Sequence, residues 1–442
     1  MIDKEPAIDV GVLDRCPKVS GRLDGRWLVN GVPVTGVFHA WAEGGEIHFS
    51  DSAGKKPARG ETVFCTTEEN GSFALFDVTI GVRFHWEREE EQVFRGSLAL
   101  LARKDDTITA INRIGLEDYL TSVISSEINP LAPTELLKAH AVTSRSWLAA
   151  LLTHKSELLR PAGSEIGLHQ PGKFICWYNH KDHDLFDVCA DDHCQRYQGV
   201  AKVLPETTGR AVQETRGLFL MYKDKICDAR YHKACGGWTE NFRNVWEEAD
   251  VPYLSAVADA AHPASPVQSE KEARRWVLSD PDAYCNVKDR NLLQQALTTF
   301  DQETKDFFRW KVEYQREDLE SILKEKSGFD FGRLDNMVPI ERGPSGRIVQ
   351  LKIEGSKTTQ IVGKELEIRR RLSRTHLLSS AFVVDVERDA FGNVSRFVLH
   401  GAGWGHGVGL CQIGAASMAA KGFSAEEILR HYFRGTQLKK LY

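Results

Sequence analysis

Two apolar stripes at helical spacing, one on each side of a proline break, restrict the fold of this chain more than any other feature. Leu116, Leu120, Val123, Ile124 and Ile128 recur on one helix face, and Pro130 and Pro133 end that pattern. Thr134 can cap a second helix, in which Leu136, Leu137, His140, Ala141, Ser144, Trp147, Leu148 and Leu151 form the next stripe. Before them, short apolar runs are separated by Gly, Asp and Asn turn signals. Examples are Arg26 to Val29, Glu46 to Phe49, Thr62 to Phe64, Val82 to Trp86 and Thr107 to Asn112. A helix pair embedded among many short strands predicts an α+β fold.

At 442 residues the chain is long for one core. Residues 1–112 read as a β-rich N-terminal region. Residues 113–261 read as a mixed core carrying the two helices, with a polar region rich in His and Cys at about 165–200. From 262 to 340 charge rises and helical patterns run from Asn291 to Phe308 and from Arg316 to Lys326, which predicts an inserted helical lobe. Residues 341–442 return to strands, a Gly-rich loop and a last helix from Ser424 to Phe433, completing the core.

Composition excludes several classes. Hydrophobic residues at 42% against 27% charged are a globular balance, not that of a disordered chain. A formal net charge of -5 gives no electrostatic reason to expect nucleic acid as a partner. No apolar run approaches the ~20 residues of a membrane span. The start, Met1 to Pro6, lacks the apolar stretch of a secretory signal, so as written the chain is expected to be soluble and without an export address.

Nine cysteines, an odd number scattered through the chain, do not read as a disulfide framework. Only Cys189 and Cys194 are close, and His183 and His193 flank them. Two thiolates and two imidazoles can close a tetrahedral zinc site of the structural kind. His180, Cys176 and Asp192 could substitute as ligands, and free cysteines beside surface histidines are the plain alternative.

Three further features could carry chemistry. Glu127 falls on the apolar stripe of the first helix, four residues after Val123. A carboxylate there is partly desolvated, which favours the protonated form a general acid needs; the plain alternative is a helix-end glutamate turned to solvent. The loop Gly401 to Gly409 alternates glycine with other residues and matches no dinucleotide-binding pattern. Trp404 offers a ring face for a sugar and His406 a polar contact, unless the loop is a tight turn around a buried Trp. Finally, Tyr231 to Glu240 sets Cys235 beside His232, which could be a thiol nucleophile with His232 or His406 as base. A structural cysteine beside a turn fits that segment better.

Taken in order, these segments resemble the SpoIID/LytB family, which comprises the sporulation stage II protein D and the amidase-enhancer proteins. The resemblance rests on Glu117 to Leu120, Val123 to Glu127, Leu137 to Val142, Arg145-Ser146, Glu214 to Gly217, Gly236-Gly237 and Val245-Trp246. It continues through Pro252 to Leu254, Ser345 to Arg347 and Gly403 to Ala415, and so covers roughly residues 6 to 442. It implies that Glu127 is the catalytic glutamate of a peptidoglycan lytic transglycosylase. It implies that His183, Cys189, His193 and Cys194 hold one structural zinc, and that Arg145, Tyr231, Trp404, His406 and Gln412 bind substrate. The substrate implied is glycan strands of peptidoglycan stripped of stem peptides, which places the protein outside the cytoplasm. The alternative within the family is a non-catalytic peptidoglycan-binding enhancer of a cell-wall amidase. A zinc hydrolase is disfavoured, since four protein ligands leave no position for water. The chain departs from the family pattern in four ways. His140 replaces the usual Gln, Ile128-Asn129-Pro130 replaces the more usual Met-Pro, and the helical segment near 262–340 is longer than the minimal core. Most seriously, the start shows no secretory signal although the implied substrate lies outside the cytoplasm.

Overall fold

The computed structural model describes residues 2–67, 71–82, 87–153, 166–177, 183–200, 205–262, 265–298, 301–303 and 306–442. The fold is α+β with a β-rich N-terminal part. By internal contacts the chain divides into two compact units. The first comprises the described residues of 1–130, 180–218 and 440–442; the second, those of 131–179 and 219–439.

The first unit is built on an eleven-stranded sheet. Its main path runs Val188–Cys189, Ala7–Cys16, Ile108–Gly115, Ser97–Ala102, Thr62–Thr67, Lys18–Val29, Val32–Glu43, Glu46–Asp51 and Ala58–Gly60. Of these, Ala7–Cys16 is β1, Ile108–Gly115 is β2 and Val188–Cys189 is β3. Strand Lys18–Val29 alternates about Val19, Gly21 and Leu23, all buried, as expected of a strand with one covered face. In β2, by contrast, five consecutive residues from Ile108 to Asn112 are buried, so both of its faces are covered. The expected runs at 26–29, 46–49 and 62–64 fall within strands, and that at 107–112 begins at Ile108. The run at 82–86 lies outside the described residues except for Val82.

Helix α1, Leu116–Glu127, leaves β2 directly and is tied to the N-terminus. The Leu116 N–H donates to Pro6 O at 3.0 Å and the Glu117 N–H to Glu5 Oε1 at 3.0 Å. All of α1 but Asp118 and Thr121 is buried. Its serines are accommodated there because their hydroxyls return to the preceding turn: Ser125 Oγ donates to Thr121 O at 2.9 Å and Ser126 Oγ to Ser122 O at 2.8 Å. The helix stops at Ile128, which is extended, just before the Asn129-Pro130 pair whose geometry disfavours helix. These ties set α1 with the N-terminal strands, so no unit boundary falls at 112.

The second unit holds α2, Thr134–Thr153, and two larger sheets. One has five strands in the order Ile166–Gln170, Lys173–Trp177, Thr359–Gly363, Ile348–Gly355, Leu334–Arg342. The other places β7, Val394–Ala402, between β5, Arg309–Gln315, and β6, Phe382–Arg388; among the short strands earlier in the chain is β4, Tyr231–His232. The segment 262–340, expected to be a helical lobe, contains helices α3 (Glu270–Val277), α4 (Arg290–Ala296) and α5 (Arg316–Ser327). It also contains β5 and Leu334–Arg342, which join sheets made with the C-terminal strands. The Arg-Trp-Lys-Val-Glu-Tyr-Gln sequence of β5 alternates polar and apolar residues, a strand signal inside a charge-rich stretch. Helix α4 is correspondingly shorter than the pattern over 291–308 predicts.

Trp310 locks β5 into this unit. It is 5% exposed, its indole N–H donates to Gly403 O at 2.9 Å, and a Cβ on Gly401 would lie 2.1 Å from its ring. Around it pack Leu351, Phe382, Phe397 and Leu399. Replacing Trp310 with Ala is expected to lower unfolding free energy by about 3–5 kcal/mol, read from the denaturant midpoint. A loss below about 1 kcal/mol would contradict this packing.

Candidate active site and metal cluster

In the first unit, a loop from His183 to Gln198 gathers the cluster read from the sequence. Strand β3 runs parallel to β1, with Gly11 opposite Cys189. Gly11 has no Cβ, and one built there would lie 2.5 Å from the Phe186 ring, so only glycine lets the loop seat this closely. A turn closed by the Cys194 N–H on Asp191 O at 3.0 Å then returns Cys194 toward His183. His183 Nε2 lies 3.3 Å from Cys194 Sγ; His193 Nδ1 lies 3.5 Å from Cys194 Sγ and 3.9 Å from Cys189 Sγ. All four ligand atoms fall within 4.8 Å of one another. Ligands around one tetrahedral zinc are separated by roughly 3.3–3.8 Å, given metal bonds of about 2.0–2.3 Å. Cys194, and after it His183 and His193, hold the Cys189 thiol well below its ordinary value. Of the alternative ligands, Asp192 pairs with Arg196 at 2.8 Å, Cys176 lies on the strand Lys173–Trp177, and His180 lies outside the described residues.

Glu127 is held by the same loop. It is 7% exposed, not turned to solvent, and its Oε1 accepts the backbone N–H of Arg196 at 3.1 Å. Arg196 stands two residues after Cys194 and is fixed in turn by Asp192 and by Ser126 O at 3.5 Å. Its neighbours are anchored as well. Gln195 Oε1 accepts from Tyr119 Oη at 3.2 Å, and Tyr197 donates to Asn112 Oδ1 at 2.5 Å with its ring stacked on Tyr119. The cluster and the carboxylate are therefore two ends of one short, fully engaged segment.

In the second unit, α2 presents His140 to two of the residues expected to bind substrate. Strand β4 pairs in parallel with β8, Leu410–Cys411, setting Tyr231 opposite Leu410. This brings the Tyr231 ring 4.4 Å from that of His140, while Gln412 Nε2 donates to His140 Nε2 at 2.9 Å. His140 Nδ1, which then carries the proton, meets Ser144 Oγ at 3.2 Å. Burial, with Lys233 nearby, pushes this imidazole down to about 3. Arg145 is fully buried in α2 and offers no exposed surface to a ligand.

Trp404 and His406 sit on the glycine-rich loop, where Gly403, Gly405, Gly407 and Gly409 all take positive φ between 72° and 93°. A Cβ on Gly407 would lie 2.5 Å from the guanidinium carbon of Arg347. The space glycine leaves is filled by that buried cation, which donates to Gly405 O at 2.9 and 3.1 Å. Trp404 is half-buried, with its ring 4.9 Å from Phe307. The His406 ring lies 4.9 Å from Trp246. Burial, then His232 and neighbouring arginines, push His406 well below its ordinary value, leaving it neutral.

Comparison with known proteins adds to this geometry. The family model described as Stage II sporulation protein matches residues 104–222, and one described as a domain of unknown function matches 240–409. The chain is 25% identical to the Stage II sporulation protein D of Bacillus subtilis over 334 residues, 75% of this chain and 76% of that protein. It is also 25% identical to an uncharacterized protein of Brachyspira hyodysenteriae over 346 residues, 78% of this chain and 72% of that one. Against the amidase enhancer of Bacillus subtilis it is 25% identical over 250 residues, 52% of this chain but 32% of that protein. The chain carries a SpoIID-family domain.

Glu127 and all four cluster residues lie within the SpoIID match, whereas Trp404 and His406 lie within the second match and Tyr231 and Gln412 within neither. Cys235 does not sit as a nucleophile. It is 1% exposed and 3.5 Å from Cys285 Sγ, while His232 donates to Val408 O and His406 accepts the Val408 N–H. Two participants escaped the sequence reading. One is the Arg196 N–H, since a backbone donor leaves no trace in residue type. The other is His140 as the partner of Gln412, visible only as a departure from the usual Gln.

His140 also marks the protein's stability. It stays uncharged when folded down to about pH 3, whereas an unfolded histidine takes its proton near about 6.5. In that window the unfolded state binds more protons, so stability is full above about pH 6.5 and falls as pH is lowered toward 3. His140→Gln is expected to reduce the slope of unfolding free energy between about pH 6 and 5 by about 1.4 kcal/mol per pH unit. Urea titrations giving the same slope for both proteins would rule this out.

Proposed function

We propose that this chain cleaves peptidoglycan glycan strands, preferentially peptide-stripped ones, as a lytic transglycosylase with Glu127 as its single acid and base. The observation that carries this reading is the burial of Glu127 in α1 with its carboxylate held by the loop that bears the metal-type cluster. The protonated carboxyl gives its proton to the glycosidic oxygen after N-acetylmuramic acid as the C1–O bond breaks. The carboxylate then takes the proton of the muramic 6-hydroxyl as O6 bonds to C1, closing the 1,6-anhydro ring. Because the nucleophile belongs to the substrate, no second carboxylate is needed to activate water. The work is extracytoplasmic on this reading, since the substrate is.

His183, Cys189, His193 and Cys194 would hold one zinc, whose four protein ligands give it a structural role. When bound it supplies rigidity to the loop, and the chain's own Arg196 N–H then orients Glu127. In the second unit, Trp404 supplies a half-exposed ring for a sugar face. Tyr231, His406 and Gln412 supply polar contacts.

Glu127→Gln should reduce anhydro-muramic products by at least about 100-fold, measured by mass spectrometry on peptide-free and intact peptidoglycan. Full activity in that variant would remove Glu127 from the mechanism. The likeness to an amidase enhancer supports a second reading, in which the chain binds glycan and stimulates a cell-wall amidase. Amidase stimulation by both proteins, with the glycan uncut by either, would put that reading in its place.

Cys194→Ser should lower bound zinc by about one equivalent and cut glycan cleavage by about tenfold or more. Elemental analysis and the same product assay read both effects. Unchanged cleavage after zinc loss would separate the cluster from Glu127.

A further inference from the structure

We propose a second metal site in the second unit, formed by Cys235, Cys285, Cys411 and Asp259 and suited to structural zinc. These residues are scattered in sequence, with Cys285 fifty positions from Cys235 and Cys411 a further 126 on, so no local motif announces them. The fold brings their ligand atoms within 4.8 Å of one another, and all four are buried, between 0% and 2% exposed. Cys235 Sγ and Cys285 Sγ lie 3.5 Å apart. That is far beyond a disulfide bond of about 2.0 Å and close to the ~3.8 Å edge of a zinc–thiolate tetrahedron.

Two of the three sulfurs accept backbone N–H groups, contacts a thiolate ligand can keep. Cys411 Sγ accepts the backbone N–H of Cys235 at 3.3 Å and that of Gly414 at 3.4 Å; Cys235 Sγ accepts that of Gly237 at 3.3 Å. The Gly414 donor lies in the first turn of α6, Gln412–Ala420, whose N-terminus favours a negative sulfur. Asp259 is oriented as an outer-shell-supported ligand would be. Its Oδ1 accepts from Tyr432 Oη at 2.6 Å and its Oδ2 from the Cys285 N–H at 2.9 Å. A Cβ on Gly414 would lie 2.5 Å from Asp259 Oδ1 and 2.3 Å from Tyr432 Oη, so the chain keeps that position bare for the carboxylate.

Charge supplies a separate reason. Asp259 is fully buried and has no ion-pair partner among the described residues. A dication bound among the three sulfurs would offset the charge of an ionised Asp259 ligand. Metal binding would release the three thiol protons to solvent as the metal–sulfur bonds form. The resulting complex carries a net negative charge, and the guanidinium groups of Arg347 and Arg309 face it, donating to Cys235 O at 3.1 Å and Gly236 O at 3.0 Å. Four protein ligands close the site, so it fastens chain segments and activates no water. Sulfur-rich donors select zinc over magnesium or calcium.

The test uses the full chain with Cys189→Ser and Cys194→Ser together, which disables the cluster in the first unit. Elemental analysis should find about one zinc equivalent in this variant. X-ray absorption at its zinc edge should show three sulfur neighbours and one oxygen. Adding Cys285→Ser should remove that zinc. A metal-free double variant, a zinc with two sulfurs, or a Cys235–Cys285 disulfide in non-reducing peptide maps of the wild type would overturn the proposal. Should the triple variant fail to fold, the double variant's metal content and absorption spectrum decide the matter alone. Zinc retained at the same level in wild type and double variant would instead remove the first-unit assignment.

Discussion

The hydrogen bond from the Arg196 N–H to Glu127 Oε1, at 3.1 Å, is the contact on which the candidate site turns. A buried carboxylate must be satisfied, and a main-chain donor satisfies it without a rotamer to lose. The donor's position follows from the segment around it. Cys194 is fixed by its neighbours in the cluster, Gln195 by Tyr119 and Tyr197 by Asn112 and the aromatic stack. Any change that loosens the loop is thus transmitted to the carboxylate through two peptide units. That coupling explains why a cluster with no evident chemistry of its own stands beside the one carboxylate expected to react.

Much of the frame was legible because it is local. The α1 stripe, the proline stop and the strand runs at 26–29, 46–49, 62–64 and 107–112 depend on near-neighbour spacing, and they fall in the helix and in longer strands that contain or overlap them. The cluster at His183 was legible for the same reason, its four residues spanning a dozen positions. What escaped was long-range or carried by the main chain. The Arg196 donor has no side-chain signature. Strand β5 was hidden by its charges, because Lys311 and Glu313 raise polarity while Trp310, Val312 and Tyr314 keep the two-residue period. Cys235, Cys285 and Cys411 meet only after the whole second unit has folded.

The glycine-rich loop shows a different kind of constraint. Its glycines look permissive in the sequence, yet Gly407 is bare because the Arg347 guanidinium occupies the place of a side chain. That buried cation spends its donors on Gly405 O, Cys235 O and Ser345 Oγ. Trp404 and His406 are therefore displayed by a turn whose backbone is fixed from beneath, and this limits the conformations a ligand would have to select. The neutrality of His406 follows from the same surroundings, since burial first, and then His232 and the arginines, oppose a positive charge there.

The chemistry expected of Glu127 also fits the separation between its environment and that of the cluster. Two thiolates and two imidazoles complete a tetrahedron, so a metal held there would have to lose a protein ligand before it could polarise a substrate or bind water. On the proposed reading the reacting proton is then carried by a side chain. Glu127 is a buried carboxylate whose backbone donor, the Arg196 N–H, comes from the cluster loop. A single carboxyl can serve a reaction whose nucleophile is the sugar's own hydroxyl, because the proton it gives to the leaving oxygen is the one it recovers from O6. A hydrolase would need a second group to orient and deprotonate water. On the proposed reading the two parts divide the work: the cluster would hold the loop that orients Glu127, and Glu127 would act alone because the sugar supplies its own nucleophile.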